Sequence, residues 1–158
     1  MESLTLRALR GGKGALQKLR RVFVYGTLMK DCGNYKRYLK DRISRITPGY
    51  TEGLLYHLPE GYPALLEGDG IVKGEIMEEV DEKLLRTLDR LEDYAEGGKN
   101  NLYERKIKTV FTAAGERLDC WVYVFSDEKY AMQNGVFIPD GDWRNFIRQY
   151  RPRRKRCV

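Results

Sequence analysis

The chain has 158 residues, 42% of them apolar and 33% charged. That composition describes one folded domain with its own core and excludes a disordered or fibrous chain. The net charge of +6 sits at the ends: residues 1–21 carry +5 and residues 148–158 carry +6, which leaves −5 on residues 22–147.

Apolar runs such as Val22-Phe23-Val24-Tyr25 are only a few residues long, so no membrane span is expected. The first twenty residues lack the apolar segment and cleavage site of a signal peptide. The cysteines, Cys32, Cys120 and Cys157, are scattered, and His57 is the only histidine. Neither a disulfide framework nor a metal site is expected, and reduced thiols suit a cytoplasmic protein. The basic ends raise nucleic-acid binding as one reading, but solvated charged tails are the commoner outcome of such clusters. The acidic body gives no reason to expect a polyanionic partner.

The organisation reads as a basic N-terminal extension over 1–20, a domain over 21–150 and a basic tail over 151–158. Gly11-Gly12-Lys13-Gly14 lacks the spacing of a phosphate loop. Arg21–Tyr25 is a β-branched and aromatic run, hence a strand, and Gly26-Thr27-Leu28 is a turn. Tyr35–Asp41 is predicted as a short helix, and Ile43–Leu58 as two strand segments with a bend. Tyr62–Glu67 reads as a strand, Gly68-Asp69-Gly70 as a chain reversal, and Ile71–Val80 as a further strand. Asp81–Leu91 is the clearest helix, with Asp81 as N-cap and Leu84, Leu88 and Leu91 on one face. Gly97–Asn101 is a loop. Tyr103–Thr112 and Leu118–Phe125 form a hairpin around Ala114-Gly115. Gly135–Asp140 is a loop, and Asp142 caps a last helix, Trp143–Tyr150. Many strands with few short helices indicate an α+β domain built on a curled sheet or small barrel.

Three features can carry chemistry. The strand-to-turn passage Tyr25-Gly26-Thr27-Leu28 can expose successive backbone N–H groups to a carboxylate or an oxyanion, although most such turns only connect. Glu92 follows the Asp81–Leu91 helix, where the negative end of the helix dipole disfavours a charged carboxylate. Partial burial raises its pKa further and suits it to proton transfer near neutral pH, while a solvated helix-end acid is the plain alternative. Tyr103 and Tyr123, on neighbouring strands, can line a pocket or simply edge the core. Glu75 reads as a structural or rim residue, Asp89 as a hydrogen-bonding residue, and His57 as surface or packed rather than catalytic.

One ordered set of segments joins these features. It comprises Tyr25-Gly26-Thr27-Leu28, Gly53-Leu54-Leu55-Tyr56, Tyr62-Pro63-Ala64, Val72-Lys73-Gly74-Glu75-Ile76, Leu88-Asp89-Arg90-Leu91-Glu92, Tyr103-Glu104-Arg105 and Trp121-Val122-Tyr123. Over roughly residues 21–148 this order resembles the gamma-glutamylcyclotransferase-like family. The resemblance implies a small mixed β-barrel with flanking short helices, a pocket at its rim and no cofactor or metal. It implies an enzyme that releases 5-oxoproline from a gamma-glutamyl amine or peptide. By motif match, Glu92 is the catalytic acid/base and Tyr25, Gly26, Thr27 and Leu28 hold substrate, with Tyr103 and Tyr123 lining the pocket. The chain departs from the family pattern in having Met29-Lys30-Asp31-Cys32 before Gly33-Asn34. A non-catalytic small-molecule-binding domain on the same fold is the alternative, because fold alone does not fix function.

Overall fold

The computed structural model describes residues 19–150. Residues 1–18 of the basic N-terminal extension and the basic tail over 151–158 lie outside the described residues. The strands are β1 (Val22–Val24), β2 (Ile46–His57), β3 (Pro63–Met77), β4 (Tyr103–Thr112), β5 (Arg117–Phe125) and β6 (Val136–Phe137). The helices are α1 (Glu82–Leu91), α2 (Glu128–Asn134) and α3 (Trp143–Tyr150), with one π-helical turn at Tyr35–Leu39.

β1 is short but buried at every position, which is why it reads as a continuous apolar run rather than an alternation. It pairs antiparallel with β3 and parallel with β5. β5 pairs with β4, β4 with β2, and β2 with β3, all antiparallel. That last pairing closes the sheet into a five-stranded mixed barrel, and β6 adds to the end of β2. Closure leaves the barrel interior to Phe23, Leu55, Leu65, Ile76, Val110, Val122 and their neighbours, all buried.

Several elements differ from the sequence expectation, and Ile43–Leu58, expected as two strand segments, holds the single strand β2. Gly68-Asp69-Gly70 does not reverse the chain: β3 runs unbroken through it. β2 pairs with β3 on both sides of this point, Glu52 opposite Ile71 and Leu54 opposite Leu66. Residues 67–70 thus bulge opposite Gly53, and the glycines provide curvature instead of a turn. α2 was not expected. Asp127 caps it by accepting the Tyr130 N–H at 2.9 Å, but only Ala131 is buried, so it shows no apolar stripe. β6 likewise falls inside the expected Gly135–Asp140 loop.

Local signals explain the other helices. Asp81 Oδ1 accepts the Leu84 N–H at 2.7 Å, and Leu84 and Leu88 bury the face that α1 turns to the barrel. Asp142 Oδ1 accepts the Asn145 N–H at 3.0 Å at the start of α3. Gly141, at φ 66°, packs so closely on β3 that a Cβ there would lie 1.7 Å from the Ile71 carbonyl oxygen. Its own oxygen accepts the Lys73 N–H at 2.8 Å. Trp143, fully buried, donates its Nε1–H to Nδ1 of the buried His57 at 3.2 Å. These contacts dock α3 on the barrel and make His57 a packed residue. Among the described residues, no helix is long and apolar enough to cross a membrane.

Candidate active site

Where β1 ends, the chain leaves the barrel wall and opens a cavity of about 220 Å³. Tyr25, Gly26, Thr27, Leu28, Glu92, Tyr103 and Tyr123 all line it. The structure thus brings every site residue expected from sequence to one place.

The loop after β1 folds through short-range hydrogen bonds. Met29 N–H donates to Gly26 O at 2.9 Å, Cys32 N–H to Met29 O at 3.0 Å, and Tyr35 N–H to Thr27 O at 3.0 Å. Asn34 Nδ2 donates to Thr27 Oγ1 at 2.6 Å. Among the described residues, no hydrogen bond takes up the N–H of Gly26, Thr27 or Leu28. Buried backbone donors are rarely left without partners. Donors beside a cavity are a ready seat for an anionic group. Gly26 is required by space: a Cβ there would lie 2.6 Å from Pro63 Cγ on the opposite rim.

Glu92 is fixed by how α1 ends. It is the C-cap, and the next residue, Asp93, takes the left-handed conformation at φ 56°. Asp93 N–H donates to Arg90 O at 3.2 Å and Tyr94 N–H to Asp89 O at 2.8 Å, the paired bonds of a Schellman motif. The carboxyl is half-buried, and among the described residues no side chain pairs with it. Burial without a counter-charge pushes its pKa from 4.5 up to about 7.

Tyrosines form the walls. Tyr25 donates its hydroxyl to Tyr123 O at 2.5 Å, and Tyr103 donates to Pro63 O at 2.6 Å. Burial holds both phenols well above their ordinary pKa, and the nearby Glu92 charge adds to this, so both stay protonated. The Tyr123 hydroxyl turns away to Asp89 Oδ1 at 2.7 Å. Burial, then Asp89, raises its pKa. Arg105 Nε also approaches Asp89 Oδ1, at 2.9 Å, as an ion pair whose N–H is not aimed along the contact. The Arg105 guanidinium lies over the Trp121 ring, 4.1 Å from its centroid. Asp89 therefore ties the last turn of α1 to β4 and β5.

Asn34, Tyr62, Pro63, Leu91 and Leu102 also line the cavity and were not singled out as site residues from sequence. The motif Tyr62-Pro63-Ala64 was the available signal for two of them. Among the described residues, no three His, Cys, Asp or Glu side chains converge as a metal site would need.

The sequence and the fold have known counterparts. Residues 22–145 match the family described as gamma-glutamyl cyclotransferase, AIG2-like. Over 130 residues the chain is 32% identical to the gamma-L-glutamyl-butirosin B gamma-glutamyl cyclotransferase of Niallia circulans, covering 82% of this chain and 78% of that protein. The crystal structure of an AIG2-like protein from Mus musculus superposes with a TM-score of 0.57 at 30% identity, covering 72% of this chain and 83% of that one. YkqA from Bacillus subtilis superposes with a TM-score of 0.64 at 22% identity over 86% of this chain and 44% of its own, a likeness of fold. The chain belongs to the gamma-glutamyl cyclotransferase, AIG2-like family.

Proposed function

We propose that this protein releases 5-oxoproline from a gamma-glutamyl amine or peptide, with Glu92 as the general acid/base. The observation that carries this reading is the half-buried Glu92 carboxyl, with no side-chain partner among the described residues, in the cavity shared with the Gly26–Leu28 donors.

The reaction needs little more. The substrate's α-ammonium must lose a proton before its nitrogen can attack the γ-carbonyl carbon. A carboxylate with a pKa of about 7 can take that proton near neutral pH. The new C–N bond closes the five-membered ring and leaves an oxyanion. As the scissile C–N bond breaks, Glu92 returns the first proton to the departing nitrogen. The attacking nitrogen gives up its second proton through the same carboxylate to the released amine, which leaves as an ammonium while the lactam keeps one N–H. One carboxyl group serves both steps, and no covalent enzyme intermediate forms. Confinement between the tyrosine walls brings amine and carbonyl together, an entropic contribution to the rate. The N–H groups of Gly26, Thr27 and Leu28 can receive either the α-carboxylate or the oxyanion. The scattered cysteines of the sequence, with no paired spacing, fit a reducing, cytoplasmic setting.

The test is 5-oxoproline release across gamma-glutamyl amines, gamma-glutamyl peptides and gamma-glutamyl-ε-lysine. Glu92→Gln should lower kcat about 100-fold or more with the fold intact. Turnover near that of the wild type in this variant would sink the assignment. Silence of the wild type across the whole panel would favour a binding domain.

A further inference from the structure

We propose that Glu75 and Arg144 are positioning residues that hold the Gly26–Leu28 turn in its substrate-receiving shape, acting through the backbone of Lys30. Lys30 N–H donates to Glu75 Oε1 at 2.6 Å. Arg144 Nη2 donates to Lys30 O, also at 2.6 Å. Arg144 Nη1 lies 3.5 Å from Glu75 Oε2. Side chains from two distant elements thus capture both backbone polar groups of one loop residue and face each other.

Each end of this clamp is anchored. Glu75 stands in the barrel wall, paired in register with Val24 of β1 and with Pro48 of β2. Arg144 follows the buried Trp143, which His57 holds, and Gly141, which Lys73 holds. Between the anchors runs the segment Met29–Cys32, where the chain departs from the family pattern. Asp31 there adopts φ 71°, a left-handed conformation that aspartate tolerates better than most residues other than glycine. The clamp sits one residue before this bend and two residues after Leu28, the last of the unpaired donors. Met29 N–H to Gly26 O and Tyr35 N–H to Thr27 O connect the clamped segment to those donors. A shift at Lys30 therefore moves them.

A stability role explains the clamp less well. Arg144 keeps 28% of its side-chain exposure, and its charge stands 3.5 Å from that of Glu75, a longer and more open contact than a close ion pair. Ion pairs that reach solvent contribute little to folding. What the contacts define is the path of an otherwise exposed loop.

The inference rests on the substrate-holding role proposed for the turn. Four full-length variants test it: Glu75→Leu, Glu75→Gln, Arg144→Met and Arg144→Lys. Each is measured for kcat, KM, its kcat–pH profile, thermal unfolding and affinity for 5-oxoproline. Glu75→Leu and Arg144→Met should raise KM and weaken 5-oxoproline about tenfold, while the midpoint of the kcat–pH profile stays in place. Glu75→Gln should recover most of the loss, because its amide oxygen still accepts the Lys30 N–H. Should Arg144→Met fail to fold, Arg144→Lys decides. A lysine reaches only one of the two partners, so KM should rise about threefold, and an unmoved KM overturns the proposal. Wild-type turnover with KM unchanged in folded Glu75→Leu and Arg144→Met overturns the positioning role alone. A wild-type chain that neither converts any gamma-glutamyl compound nor binds 5-oxoproline overturns the functional reading and this inference together.

Discussion

Tyr123 donates its hydroxyl to Asp89 Oδ1 at 2.7 Å, and Asp89 lies one helical turn ahead of Glu92. The same carboxylate faces Arg105, with side-chain exposures of 10% and 15% for the arginine and the aspartate. The last turn of α1 is thereby bound to two strands of the barrel, and the carboxyl of Glu92 inherits that rigidity.

Asp89→Asn separates the two contacts. The amide oxygen can still accept from Tyr123, but the charge that faces Arg105 is gone. Removing one partner of a buried pair leaves an uncompensated charge, so the variant should lose about 3 kcal/mol. Tyr123→Phe removes a single hydrogen bond and should lose about 1 kcal/mol. Urea denaturation at pH 7 checks the order. Equal losses, or a larger loss in Tyr123→Phe, would argue against the ion pair as the main tie.

The features legible in the sequence are those whose cause is local. α1 was readable because its cap, Asp81, and its buried face, Leu84 and Leu88, lie within one short window. β1 was readable because a strand covered on both sides is apolar at every position. Gly68-Asp69-Gly70 misled because turn chemistry is local, whereas the pairing of Leu66 with Leu54 and of Ile71 with Glu52 is not. α2 was missed because a capped helix burying one alanine has no periodic signal. At the site, Glu92 stood out as a helix-end acid. Asn34, Tyr62 and Leu102 did not, because they come from separate connections that meet only when the barrel closes. The mutual grip of Glu75, Lys30 and Arg144 spans much of the chain and leaves no local pattern.

Gly26→Ala tests the turn without touching a polar group. The added methyl would meet Pro63 Cγ at 2.6 Å, and Pro63 O already accepts from Tyr103. Either the turn or the rim must move. Overpacking of this kind should cost about 1–3 kcal/mol in stability. It should also raise KM more than it lowers kcat, because the donors shift while Glu92 stays in place. Steady-state kinetics beside a melting curve checks this, and an unchanged KM would remove the turn from the binding site.

The kcat/KM–pH profile should show a limb with a midpoint near 7, lost on the acid side as the Glu92 base becomes protonated. Glu92→Asp keeps the charge on a shorter arm. It should keep such a limb while falling well below the wild-type rate, because a base must lie within hydrogen-bond reach of the proton it takes. A profile flat from pH 5 to 8 in the wild type would show that another group moves the proton.

The same carboxyl should make the site a stability liability at high pH. Its pKa is raised on folding, from 4.5 to about 7, so the folded state holds this proton more tightly than the unfolded chain does. Below pH 4.5 both states are protonated and the contribution to stability is full. It is lost as the pH rises through 7, where the folded protein must carry a half-buried charge. A shift of that size corresponds to about 3 kcal/mol by pH 8. Glutamine is neutral at every pH and escapes the penalty. Glu92→Gln should therefore be more stable than the wild type at pH 8, and the gap should close as the pH approaches 4.5. Denaturant titrations of both proteins across that range measure it. A difference independent of pH would mean that Glu92 titrates as an ordinary solvated acid, and its assignment as a proton carrier near neutral pH would fall with it.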